Sequence, residues 1–216
     1  AYPLIYMIEK LFGLVSEVIL LELSSTNTPA LRDLATKAPG TFQHTVQVSN
    51  IAEDLVNEIG GNAMLARVGA LYHDIGKMNS PMYFTENQMT DFNPHDELSY
   101  EESASIILNH VPEGVQLAHK YNLPEVIIDF IRTHHGTTKT GYFYAMQKKN
   151  NPDQPINEED FLYKGPKPYS KETAVLMLVD SVEAATKSLK VHTEESMNQM
   201  IDNVIDLKIK EGQLSN

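Results

Sequence analysis

Seven residues combine a metal-ligating side chain with apolar helical surroundings: His44, His73, Asp74, His110, His134, His135 and Asp180. The His73-Asp74 pair ends an apolar stretch (Met64, Leu65, Val68, Leu71, Tyr72, Ile75) and is followed by Gly76-Lys77. A carboxylate carried into an interior is costly unless a cation or hydrogen-bond donors meet it. An imidazole at its side suggests that the cation is a metal. Asp180 stands in the middle of Thr173–Val182, where nothing in its own helix can neutralise it. Taken singly, each residue has a plainer reading, such as a hydrogen-bonded core histidine or a surface His-Asp at a helix end. Together they are better explained by a shared metal centre, because unpartnered buried carboxylates and imidazoles destabilise a core.

Seven protein ligands exceed what one first-row ion takes and suit two ions joined by a bridging carboxylate. Asp74, beside His73, is the natural bridge. With imidazole and carboxylate ligands and no cysteine in the chain, two divalent transition-metal ions are expected, iron or manganese. A water or hydroxide between two such ions is a nucleophile aimed at phosphorus, and the ions take up charge on the non-bridging oxygens. Asp74 and Lys77 are therefore the candidate catalytic residues. Lys77, one turn after His73, would place a point charge on a phosphate; its plainer reading is a solvated lysine at a helix end.

The elements that must position these groups all read as helices. Residues 3–23 carry a stripe at Leu4, Ile8, Leu11, Val15 and Ile19 whose apolar density exceeds one buried face. After a break at 24–29, a short helix runs to about Lys37, and Pro39-Gly40 reads as another break. Thr41 is expected to cap a helix to Ile59, with an inward row of His44, Val48, Ile51 and Leu55. Asn62 caps the helix that ends in His73-Asp74, and residues 79–97 form a loop that could close over a site. Helices from Ser99 and Pro124 deliver His110 and His134-His135, and helices 170–189 and 193–210 end the chain. Residues 137–169 read as a loop-rich insertion with interleaved aromatics and lysines, candidates for base stacking and phosphate contact or for a packed lid. No strand pattern and no repeat stands out.

The chain has 216 residues, long enough to bury a sizeable core. Its formal net charge of −12, without a Lys/Arg block, argues against a phosphate-tracking nucleic-acid surface. An anionic substrate must then be attracted locally, as bound divalent ions would do. No apolar run approaches the roughly 18 residues of a membrane span, and the chain, which begins at Ala1 with no signal peptide, reads as a possible piece of something larger.

The order His…His-Asp…His…His-His…Asp resembles the HD-domain metal-dependent phosphohydrolases in their dinuclear branch. The stretches 38–44, 66–78, 86–88, 134–138 and 180–185 resemble, more narrowly, the cytoplasmic domain of the seven-transmembrane HD phosphodiesterases, the PgpH-type hydrolases of cyclic di-AMP. This resemblance covers about residues 3–190. It implies an all-α HD-domain bundle around a dinuclear site, with one ion on His44, His73, Asp74 and Asp180. The other ion would sit on Asp74, His110, His134 and His135. It implies an N-terminal segment (1–40) joining upstream membrane helices, an HD core (41–192) with insertion 137–169, and a C-terminal helix (193–216), all on the cytoplasmic side of the membrane. A homo-oligomer is compatible with it.

The expected activity is hydrolysis of cyclic di-AMP to the linear dinucleotide pApA, with Lys77, Gly136, Thr137 and Tyr144 as candidate substrate contacts. Gly141-Tyr142 is followed by Phe143, so the Gly-Tyr-Pro signature of the related cyclic di-GMP branch is absent. Alternatives are a nucleotide or (p)ppGpp phosphohydrolase of the same fold and a non-catalytic nucleotide sensor, the latter disfavoured by the complete ligand set. His95, His119 and His192 fall outside the pattern and read as surface or supporting residues.

Overall fold

The computed structural model describes residues 15–89, 92–189 and 191–215, so the expected stripe positions Leu4, Ile8 and Leu11 lie outside the described residues. The chain is all-α as expected, with no strand among the described residues. Its helices are α1 (Glu17–Leu23), α2 (Pro29–Lys37), α3 (Pro39–Glu58), α4 (Ala63–Tyr72), α5 (Tyr100–Lys120), α6 (Glu125–Thr133), α7 (Gly141–Asn150), α8 (Lys171–Thr186) and α9 (Glu194–Lys210). None of them is long and apolar enough to cross a membrane.

Local chemistry sets most of these boundaries. Asn62 accepts from Leu65 N at the start of α4, and Ser99 and Glu102 form a reciprocal capping box on α5. Ser170 caps α8 and Thr193 caps α9 in the same way. Pro112 lies inside α5, which nevertheless runs unbroken from Tyr100 to Lys120.

Three expectations need correction. Pro39-Gly40 is not a break, and Thr41 is not a cap. Helix α3 begins at Pro39, whose missing N–H costs nothing at a first helical position, and Ala38 before it offers no capping side chain. The acceptor comes instead from the distant loop, where Asn87 Oδ1 receives Gly40 N at 2.9 Å and Thr41 N at 3.1 Å. Second, the inward row of α3 is Thr41, His44, Thr45, Val48, Ser49, Ala52 and Val56, whereas Ile51 and Leu55 are both 46 % exposed. Small residues face inward because α4 and α8 pack closely against this helix. Third, the insertion 137–169 is not only loop. It contains α7, a 3-10 turn at Glu158–Phe161 and a single antiparallel bridge between Lys139 and Leu162.

Two apolar clusters frame the polar centre. One gathers Leu31, Leu34, Leu71, Tyr72, Ile75, Ile127 and Ile131 from α2, α4, α6 and the turn after Asp74. The other joins Val48, Ala52, Ala70, Phe130, Leu176 and Val179 from α3, α4, α6 and α8. Gly76 lets the 3-10 turn Ile75–Asn79 lie directly on α5, since a Cβ there would stand 1.8 Å from the His110 carbonyl oxygen.

Candidate metal centre

Each helix delivers its donors at a point where the backbone can hold them still. His73 follows the last residue of α4 and Asp74 follows it, while His134 sits at the C-terminal cap of α6. The Nδ1 atoms of His73, His110 and His134 lie 2.7, 2.5 and 2.9 Å from the carbonyl oxygens of Ala70, Ile107 and Ile131, three residues earlier in each case. Donation from Nδ1 leaves Nε2 as the lone-pair nitrogen of each ring. His44 turns Nδ1 toward Glu183 Oε2 at 2.9 Å, and Lys187 reaches the same oxygen at 2.9 Å. Carboxylate-to-imidazole support of this kind fixes ring orientation at metal sites.

The donors fall into two groups that could each hold a metal ion: His44, His73, Asp74 and Asp180, and His110, His134 and His135. Asp74 faces both. Its Oδ2 lies 3.3 Å from His73 Nε2 and 3.6 Å from His44 Nε2, whereas its Oδ1 lies 3.3 Å from His110 Nε2 and 3.5 Å from His134 Nε2. Asp180 Oδ1 stands 3.1 Å from His44 Nε2 and 3.7 Å from His73 Nε2.

Two observations fit cations in these positions. His73 Nε2 and Asp74 Oδ1 are buried with no hydrogen-bond partner among the described residues, an arrangement that costs about 1–3 kcal/mol per group in an ordinary core. His110 Nε2 and His134 Nε2 also face each other at 3.1 Å with both Nδ1 atoms on carbonyls. Two lone pairs at that distance repel unless a cation or an extra proton lies between them.

The electrostatics point the same way. Burial would raise the pKa of Asp74, but His73 and Lys77 outweigh it and hold the carboxyl well below the usual range. Asp180 behaves likewise, with His44 and His73 overcoming burial. Burial would lower His73, but Asp74 and Asp180 outweigh it and push it up to about 10, a sign of how strongly this pocket favours a positive charge. Burial, with neighbouring imidazoles, holds His134 below and His135 well below the ordinary value, in the neutral form that metal ligation needs.

Lys77 lies 2.7 Å from Asp74 Oδ2 and 2.9 Å from Glu86 Oε1, and both carboxylates keep it charged despite burial. Residues 79–89 of the expected loop close on this edge: Phe84 packs under Lys77 and against His110, and Thr41 donates to Glu86. The remaining candidates from the sequence are placed differently. Gly136 and Thr137 directly follow His135 and are engaged by Gln213, whose Oε1 accepts from Thr137 N at 3.0 Å. Tyr144 donates to Glu158 and carries Lys139 over its ring, and none of its bonds is to a donor of the centre. His95 bonds the Tyr83 carbonyl and packs on Phe143, joining the loop to the insertion, while His119 is exposed beside Glu125 and His192 is exposed.

Glu183, Glu86, Asn87, Tyr163 and Gln213 also stand at the site; the first three lie in stretches that carry the resemblance and Tyr163 among the aromatics of the insertion, but the sequence assigns none of the five a role. Glu183 carries a readable signal, since it lies one turn from Asp180 on the same helix face. Glu86 and Asn87 reach the centre only through tertiary contact.

The sequence profile of the HD domain family matches residues 41–185. The chain is 43 % identical over 209 residues to the cyclic-di-AMP phosphodiesterase PgpH of Listeria monocytogenes, covering 97 % of this chain and 29 % of that protein. It is 44 % identical over 204 residues to the cyclic-di-AMP phosphodiesterase PgpH of Bacillus subtilis, covering 94 % of this chain and 28 % of the relative. The chain thus spans less than a third of either protein. The crystal structure of the Listeria monocytogenes PgpH HD domain in complex with cyclic di-AMP superposes with a TM-score of 0.84 at 43 % identity, covering 88 % of each chain.

Proposed function

The chain belongs to the HD domain family, and within that family we propose that it is a cyclic di-AMP phosphodiesterase that opens the ring to the linear dinucleotide pApA. The observation that carries the phosphodiesterase reading is Asp74, whose two oxygens face two separate donor groups. The choice of cyclic di-AMP rests on the likeness to an HD domain solved with that ligand.

His44, His73, Asp74 and Asp180 would hold one divalent ion and Asp74, His110, His134 and His135 the other, with iron or manganese suited to an imidazole and carboxylate set. Such ions, when bound, supply Lewis-acid charge to phosphoryl oxygens and lower the pKa of water. The chain's own residues do the rest. Carbonyl anchors hold three imidazoles with Nε2 inward, and Glu183 holds a fourth. Lys77 brings a fixed positive charge to the rim, where its side chain is 14 % exposed, and an incoming phosphate would meet it there. His73 and His134 are fully buried, so the floor of the site excludes water and electrostatic interactions above it are strengthened. The relatives are more than three times as long as this chain, and on the sequence resemblance the domain would follow a membrane-embedded region in the whole protein and face the cytoplasm.

The test is a kcat/KM comparison for cyclic di-AMP, cyclic di-GMP and ppGpp on one metal-loaded preparation, with products identified by mass. Ring opening of cyclic di-AMP to pApA should dominate, because an adenine-selective pocket leaves guanine's exocyclic groups unpaired. A preference for cyclic di-GMP, or phosphate release from ppGpp, would overturn the assignment.

A further inference from the structure

Four of the five histidines in the centre have Nδ1 held by a hydrogen bond, to a backbone carbonyl or to Glu183. His135 is the exception: its side chain makes no hydrogen bond among the described residues. It is also only half-buried, where the other four are buried. A ligating imidazole without such an anchor is free to turn about its side-chain bonds, and metal ligands ordinarily have that freedom removed by a partner.

Two contacts constrain the His135 ring and the backbone after it instead. The ring of His135 stacks on Tyr163 with centroids 4.2 Å apart and planes at 25°. Tyr163 is itself buried, and its backbone N–H donates to the Thr138 carbonyl at 2.9 Å, three residues past His135. The second contact acts on the backbone. Gly136 has φ of +53°, and a Cβ there would lie 2.3 Å from Gln213 Oε1. Gln213 is 2 % exposed; besides accepting from Thr137 N, it donates through Nε2 to Thr137 Oγ1 at 3.0 Å. Lys167 donates to the Gly212 carbonyl at 2.8 Å and fixes the segment that carries Gln213. That segment lies beyond residues 41–185, the part matched by the family profile.

We propose that Tyr163 and Gln213 are positioning residues, which together replace the missing hydrogen bond on His135 and set how tightly the His110–His134–His135 group holds its ion. The inference rests on the two-ion reading above. The ring contacts of Tyr163 are to His110 and His135, and the side-chain bonds of Gln213 are to Thr137 and the Glu211 carbonyl. Neither set includes a donor of the other group, so the effect belongs to one ion. The insertion and the C-terminal segment thereby share one role, each supplying one side of the clamp on the least anchored ligand.

The experiment is a stepwise titration of the full chain, stripped by chelation, with manganese(II), followed by calorimetry and by free-ion electron paramagnetic resonance. The wild type should take up two ions, and His110→Ala identifies which step belongs to the clamped group. Tyr163→Leu and Gln213→Ala should each weaken that step about 10–100-fold, the range for supporting partners of metal ligands. The other step should stay unchanged, which also shows that the variants are folded. Tyr163→Phe keeps the stack and Gln213→Glu keeps the acceptor for Thr137 N, so both should bind close to the wild type. Two unchanged steps in Tyr163→Leu and Gln213→Ala would overturn the proposal, and so would equal weakening of both steps or a Tyr163→Phe chain as weak as Tyr163→Leu. A wild type that takes up fewer than two ions would overturn the two-ion reading, and this inference with it.

Discussion

Lys77 Nζ stands 2.7 Å from Asp74 Oδ2, the oxygen that faces His73 and His44. The lysine therefore acts on the shared carboxylate as well as on any phosphate that reaches the rim. Lys77→Ala should slow turnover of cyclic di-AMP by the equivalent of ~2–4 kcal/mol, the scale of losing one preorganised charge-stabilising donor. Metal content should survive, because Lys77 is not a ligand. Steady-state kinetics at saturating metal measure this, and wild-type kcat in the variant would remove Lys77 from the mechanism.

Glu183 supports His44 from behind, through Nδ1 at 2.9 Å. Replacing it with alanine should weaken the ion on the His44 group about 10–100-fold, with glutamine recovering part of the loss. Competition with a chromophoric chelator reads the affinity directly. An unchanged affinity in Glu183→Ala would mean that Asp180 and the helix alone orient His44.

Asn87 caps α3 from a loop more than forty residues away, through Gly40 N and Thr41 N. Asn87→Ala should cost about 1–2 kcal/mol of stability, the range for removing a side-chain N-cap, and Asn87→Asp should cost less because it keeps the acceptor. Denaturant unfolding of the two variants separates these outcomes. If aspartate destabilised as much as alanine, the contact from Asn87 Nδ2 to Thr41 Oγ1 would carry the effect instead.

The residues of the centre are legible in the sequence because their chemistry contradicts their surroundings: Asp180 is a lone carboxylate in an apolar helix, and His73-Asp74 ends another. The supporting groups are legible only where they share a helix with a ligand, as Glu183 does with Asp180. Asn87 and Gln213 act across long sequence separations, and no local pattern announces a cap or a clasp delivered from elsewhere. The inward face of α3 departs from its apolar pattern for a related reason. Ile51 and Leu55 are both left exposed, whereas close packing against α4 and α8 takes the small Ser49 and Ala52 alongside Val48 and Val56. Helix α7 lacks an apolar stripe because it buries little beyond Gln147, which donates to Glu101 of α5.

Tyr72 joins α4 to the segment after α1, donating to the Leu23 carbonyl at 2.9 Å and accepting from Thr28 at 2.9 Å. Burial outweighs the bond from Thr28 and pushes its pKa up to about 12, against about 10 in an unfolded chain. Between those values the unfolded chain has released the proton and the folded chain has kept it. The contribution is therefore fully present below pH of about 10 and is lost as pH rises through about 12. Stability measured across that window should fall less steeply in Tyr72→Phe, by up to one proton in the slope. An identical slope would place the alkaline sensitivity on other tyrosines.

The account stands on Asp74 as the residue common to both ions, and a count of metal per chain tests that most directly. Elemental analysis after manganese reconstitution should give two ions in the wild type. His110→Ala should lose mainly one, and Asp74→Ala should be depleted at both positions. An Asp74→Ala chain that still holds two ions with wild-type affinity would contradict the shared centre.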